Sequence, residues 1–192
     1  MRTATARSLT GLVNDLTDDE LLALTDSANR PSLKEYLAMG IAQMWHMVSY
    51  DQSAGLVPLI DLAVGPKNVG NVNRDITQER FPLKGTGVRS IKCRVEPYLN
   101  GETSEEAAKR LTDAGHILGN TGDLAGFLHD HPDQVEKWAG WVFAISEDSR
   151  WACSGGIVCV PDAYVSGASR YFDLYGFRYQ LNSSYGVLVL GE

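Results

Sequence analysis

The segment RYFDLY, residues 170–175, decides how the C-terminal half is read. Side chains along a strand alternate between two faces. Phe172 and Leu174 therefore fall on one face, and Tyr171, Asp173 and Tyr175 on the other. An apolar pair backed by two tyrosines and an acid describes a half-buried strand with a chemically rich outer surface. The residues around it, 156–190, are rich in Val, Tyr, Phe and Gly and read as several short strands with irregular connections.

Composition sets the same stretch apart. Lys, Glu, Gln, Met and Trp together occur 27 times in residues 1–151 but once, as Gln180, in residues 152–191. Tyr, Ser and Gly supply 16 of those last 40 positions, an economy like that of an antibody paratope. Tyrosine gives rigid amphipathic contact area, while Ser, Gly and Asn adapt to what they meet. Strand propensity alone also favours tyrosine, but the outward-facing set tips the reading towards a binding surface. The candidate contact residues are Cys153, Tyr164, Ser166, Tyr171, Asp173, Tyr175, Arg178, Tyr179, Asn182, Ser183 and Tyr185. Beneath them the expected scaffold is Trp141, Val142, Phe143, Trp151, Phe172, Leu174 and the run from Val187 to Leu190.

Working upstream, Trp141 to Ile145 is an apolar strand. A helix is expected near Asp123 to His129, with a further helical turn after Pro132. Thr103 and Glu106 have capping-box spacing and open a helix with Ala107, Ala108, Leu111 and Ala114 on one side, which Gly115 ends. Val88 to Tyr98 alternates, with Ile91, Cys93 and Val95 inward and Lys92, Arg94 and Glu96 outward. GPKNVGNVN, residues 65–73, is loop chemistry without the ending of a phosphate loop. The first fifty residues read as helices. Thr17 with Glu20 and Ser32 with Glu35 repeat the capping spacing, and Leu33, Leu37, Ile41, Met44 and Val48 recur at helical intervals. Early helices followed by consecutive strands argue an α+β chain: a mostly helical region over 1–84 and a second domain over 85–192.

Several function classes drop out. A net charge of −7 does not suit a general nucleic-acid binder. No stretch has the ~20 apolar residues of a membrane span, and the N-terminus lacks the apolar core of a signal peptide. A cytoplasmic or virion-associated protein is expected. The three cysteines, Cys93, Cys153 and Cys159, do not suggest a disulfide framework. His129 and His131 are too close for a helix-face ligand pair, and a solvated helix end accounts for them. No nucleophile elbow, HExxH or GxGxxG occurs. No acidic cluster is placed to give calcium its roughly six to eight oxygens. Neither a metal nor a cofactor is expected, and binding is expected in place of catalysis.

Residues 103–192 resemble the variable proteins of diversity-generating retroelements, especially those of archaeal viruses. The resemblance runs through TSEEAAKRLTDAGH (103–116), GDLAGFLHDHPDQVEKW (122–138), WVFAIS (141–146), Trp151, SGGIVCVP (154–161), SRYFDL (169–174) and YGVLVLGE (185–192), about half of the chain. It implies a C-type lectin fold of the branch similar to formylglycine-generating enzymes. It also implies a variable region near 152–191 whose side chains bind ligands. In that family, variation comes from miscopied adenines in AAC codons of a template repeat. Randomising both adenines can encode every amino acid except Lys, Glu, Gln, Met and Trp, the types depleted here. Gln180 then has to be a fixed and structural position. Gly176-Phe177-Arg178 looks like the motif that closes the enzyme pattern, but it lies too early, and 185–190 better fills that role. Cys153 and Cys159 could imitate that branch's copper-binding pair.

The resemblance therefore implies a display protein whose partner is a protein ligand of unidentified kind, with oligomeric state open. Two alternatives stay beside it. One is an oxidase of the formylglycine-generating type. The other is a structural virus protein, which mostly buried Tyr164, Tyr171, Tyr175 and Tyr179 would favour.

Overall fold

Strand β6 (Val158–Ser166) and strand β7 (Ser169–Gly176) pair antiparallel along their whole length, from Cys159 opposite Gly176 to Ser166 opposite Ser169. The computed structural model describes residues 44–67, 71–138, 140–153 and 155–191. The capping signals at 17–20 and 32–35 and the stripe from Leu33 to Ile41 lie outside the described residues.

In chain order the described elements are β1 (His46–Asp51), α1 (Leu56–Val64), β2 (Val88–Pro97), α2 (Ser104–Asp113), β3 (Ile117–Leu118), α3 (Thr121–Asp130), α4 (Pro132–Lys137), β4 (Val142–Phe143), β5 (Trp151–Ala152), β6, β7 and β8 (Gly186–Gly191). The strands form one curled, half-barrel sheet in the order β1-β2-β8-β4-β6-β5, with β3 added to β8 and β7 to β6. The chain is α+β, as its order of elements argues.

Each face of the sheet carries a core. On one face, Val48, Cys93, Val95, Leu188, Val142, Ala163 and Phe172 pack with Leu59 and Ile60 of α1, Leu124 and Phe127 of α3 and Val135 of α4. On the other, Val187, Val189, Phe143, Ile145 and Val160 pack with Ala107 and Leu111 of α2 and with Tyr98, Phe177 and Leu181. The alternation of β2 is as expected: Cys93 and Val95 are buried, and Arg94 and Glu96 turn away and pair with each other at 2.6 Å. Both bonds of the Thr103–Glu106 capping box are present, and Gly115 follows the helix at φ 84°. Ala114, expected on the buried side, is instead the exposed C-cap.

Two expectations are corrected. His46–Asp51 is a strand, although Val48 continues a helical stripe. It pairs with β2 from His46 opposite Cys93 to Asp51 opposite Val88, and that ladder overrides the local pattern. The boundary at 84/85 consequently does not separate two domains: β1 and α1 belong to the same sheet and core as the residues after 85. Contact with α3 is close enough that a Cβ on Gly126 would lie 2.7 Å from Val48 Cγ1. Leu56–Val64, which Pro58 and Asp61 obscure, is a helix because Pro58 sits in its first turn, where no backbone donor is lost.

One buried carboxylate ties these parts together. Asp123, fully buried at the start of α3, accepts Tyr50 Oη at 2.8 Å and Arg89 Nε at 2.9 Å. Its other oxygen accepts the Asn120 backbone N–H at 3.0 Å in a second capping box. Burial works against the Arg89 charge, yet the bond to Asp123 leaves its pKa raised, and burial also pushes the Tyr50 hydroxyl up.

Replacing Asp123 by Ala is expected to cost about 2–4 kcal/mol in urea unfolding, because Tyr50 and Arg89 lose their shared acceptor. Phe172→Ala is expected to cost about 3–5 kcal/mol. The adjacent Tyr171→Ala, on the opposite face, is expected to cost less than about 1 kcal/mol. Equal losses at 171 and 172 would contradict the two-faced reading of β7.

Candidate functional site

Period two along β6 and β7 brings a set of predicted contact residues onto one face. Tyr164 stands opposite Tyr171, Asp162 opposite Asp173, and Val160 opposite Tyr175. The reverse face carries Ala163 and Phe172, both fully buried. This face continues the second core outward from Phe143 and Val160 to solvent, where α2 no longer covers it.

Aromatic rings define the surface. Tyr164 and Tyr171 stack face to face, with centroids 4.4 Å apart and planes 2° from parallel. Trp141, just before β4, lies against Tyr164 at 5.6 Å, Tyr175 at 5.1 Å and Tyr185 at 5.7 Å. Because β6 runs between β4 and β7, a Trp141 ring that reaches Tyr175 crosses over the middle of β6. Tyr179 meets Tyr175 edge-on at 5.5 Å and is 49% exposed. Tyr164, Tyr171, Tyr175 and Tyr185 are half-buried. Burial beside acidic neighbours raises the hydroxyl pKa of Tyr164, and burial beside Tyr185 and Asp162 raises that of Tyr175.

Under these rings lies Asp162, 1% exposed, whose Oδ2 meets no donor. Desolvation first, then the facing Asp173, pushes its carboxyl well above the usual range. Tyr98, Tyr164 and Tyr175 are the other titratable groups that interact with it. Asp173 is exposed, and its Oδ1 accepts Asn73 Nδ2 at 2.7 Å and the Leu174 N–H at 2.8 Å. An open cleft runs from Tyr164, Tyr171 and Asp173 to the 71–74 segment. Asn73 holds that segment against β7 by donating its N–H to the Phe172 carbonyl at 2.9 Å.

The other expected residues are distributed around this centre. Arg178 is exposed and ion-paired with Glu105 of α2 at 2.9 Å. Asn182 accepts from Ser184, and the Ser183 N–H donates to Asn100. These two residues belong to the segment between β7 and β8, which Phe177 and Leu181 anchor in the second core. Gln180, expected to be structural, bridges Thr103 through its backbone and leaves its side chain exposed. Ser166 ends β6 and Cys153 follows β5, and the two join no common site with each other.

Cys153, expected as a contact residue, is tied up elsewhere. It is bonded to Cys159 across a short turn, with Cα atoms 6.0 Å apart. The antiparallel pairing of Trp151 with Cys159 brings the two strand ends together. Cys93 is free and buried, and burial pushes its thiol up.

Sequence reasoning placed Trp141 in the scaffold and left Asp162 and the 71–74 segment out of the site. Trp141 is half-buried and touches three of the contact tyrosines. A period-two reading of VPDAYV could have put Asp162 on the face of Tyr164, but not its lack of a donor.

Asp162 gives a pH-dependent prediction. Below about pH 4 its carboxyl is neutral in both folded and unfolded chains. Above that, the unfolded chain ionises while the folded chain holds its proton, so this group lowers stability as pH rises until its raised folded pKa is passed. Asp162→Asn is therefore expected to melt higher than the parent near pH 7, by on the order of 1–3 kcal/mol, with the gap closing towards about pH 4 in calorimetry. A constant gap across that range would contradict it. No known protein family, no curated protein and no solved structure matches this chain.

Proposed function

We propose that the curled sheet is a C-type lectin-like domain that presents a diversified ligand-binding surface, as in the variable proteins of diversity-generating retroelements. The observation that carries this is the coincidence of two independent patterns. Residues 152–191, the longest stretch with no Lys, Glu, Met or Trp, are those of β6, β7 and β8 and their connections, with the end of β5. Within them, Tyr164, Tyr171, Asp173 and Tyr175 face outward together while Phe172 and Ala163 hold the core. A fixed backbone with an outward set of exchangeable side chains suits selection of a protein partner by side-chain variation. Aromatic and Arg members would dominate the binding energy.

The exposure of the tyrosines favours this over a purely packing role in a particle. Tyr164, Tyr171 and Tyr175 are half-buried and Tyr179 is exposed; Tyr175 packs against the edge of the second core, and none of the four is fully buried. Cys153 and Cys159 are bonded to each other, and no step is assigned to them.

The test is genomic. A near-copy of the segment encoding residues 152–191, differing only at adenines and lying beside a reverse transcriptase gene, is the expected finding. Codons 164, 171, 173 and 175 are expected to differ between the two copies or between isolates, while those of Trp141 and Gln180 stay constant. Absence of a near-copy, or variation that falls equally on Phe172 and Ala163, would overturn the proposal.

A further inference from the structure

The tyrosine-bearing face has an electrostatic bias that diversification alone does not explain. Asp162 and Asp173 stand directly opposite each other on adjacent strands, an arrangement in which like charges repel. Asp162 is 1% exposed, and its Oδ2 has no donor. The bonds to Asp173 from Asn73 and Leu174 both fall on Oδ1, so neither occupies Oδ2. Among the described residues no Lys or Arg pairs with either carboxylate, and Arg74, on the far wall of the cleft, forms an ion pair with neither. Aromatic rings flank the acidic couple on both sides. The Tyr164–Tyr171 stack stands at one end and Tyr175 at the other, with Trp141 touching both Tyr164 and Tyr175.

A buried carboxylate without a donor is unfavourable by itself. Ring faces beside it attract positive charge. Together they describe a receptor for a cation. Calcium or magnesium is a poor fit, since each takes about six or more oxygens. Among the described residues no group of three metal-binding side chains exists.

We propose that the Asp162–Asp173 couple, walled by Trp141, Tyr164, Tyr171 and Tyr175, anchors a lysine or arginine side chain of the protein ligand. This rests on the display reading above and narrows the partner of this particular sequence to one that projects a basic residue. The cation meets exposed Asp173 first and lies against the tyrosine rings. Asp162 behind it gives up its proton to solvent and supplies the second negative charge. Trp141 lies outside the segment proposed to vary, so it gives this anchor a constant wall.

The test uses the full chain labelled with nitrogen-15 and follows the Trp141 indole N–H by NMR. n-Butylammonium and n-propylguanidinium are titrated as the cationic probes, n-butanol as the neutral isostere and calcium chloride as the metal, all at constant ionic strength. Both organic cations are expected to shift the Trp141 signal saturably, and butanol and calcium to leave it unmoved. Asp162→Asn and Asp173→Asn are each expected to weaken the cations about tenfold or more, while thermal melts show both variants folded. Equal shifts from butanol, preferential binding of calcium, or parent-like binding by both variants would overturn the anchor. A response to cations with no genomic near-copy would keep the anchor and remove diversification. A near-copy with no response to cations would do the reverse.

Discussion

Asp123 accepts hydrogen bonds from the Tyr50 hydroxyl on β1, the Arg89 guanidinium on β2 and the backbone at the start of α3. Three segments far apart in sequence thereby share one buried acceptor. A carboxylate leaves water only where donors replace its solvation, and here they come from both strands of the outer sheet edge and from the helix that covers them. The geometry that satisfies Asp123 also fixes the angle of α3 over β1. Gly126 must then pass Val48 and Tyr50 without a side chain. The rest of the sheet grows from that corner: β2 pairs β8, β8 pairs β4, and β4 pairs β6.

Asp162 is the counterpart at the other end of the sheet, and the contrast is instructive. Both carboxylates are buried to the same degree. One has every donor it needs and serves the fold. The other has no donor at its inner oxygen and faces a second acid. Structural acids and acids available for recognition are told apart here by their partners, not by their burial.

Much of the architecture was legible because it is local. Thr103 and Glu106 bond only to each other's neighbourhood, so spacing along the chain suffices to find them. The alternation of Ile91, Cys93 and Val95, and of Phe172 and Leu174, is likewise local. What escaped reading depends on distant partners. Val48 sits at a helical interval from Met44, yet its neighbours in space are β2 and α3. Pro58 reads as a break, yet it sits in the first turn of a helix whose buried face packs in the core. The Cys153–Cys159 bond follows from the pairing of β5 with β6, which spacing alone does not announce. Trp141 reads as core by type, and only the strand order places its ring across β6 towards Tyr175.

The full-length ladder between β6 and β7 carries a consequence for how this surface evolves. A strand's faces exchange when its pairing slips by one residue. Deleting or inserting a single codon within Ser169–Gly176 would turn Phe172 to solvent and drive a tyrosine into the core. Length variation is therefore closed to these two strands, and point substitution is the route left open. The segment between β7 and β8 is freer, since it is pinned at Phe177 and Leu181 and not by a ladder. Any lineage of this protein should thus keep the reading frame and spacing of these two strands unbroken.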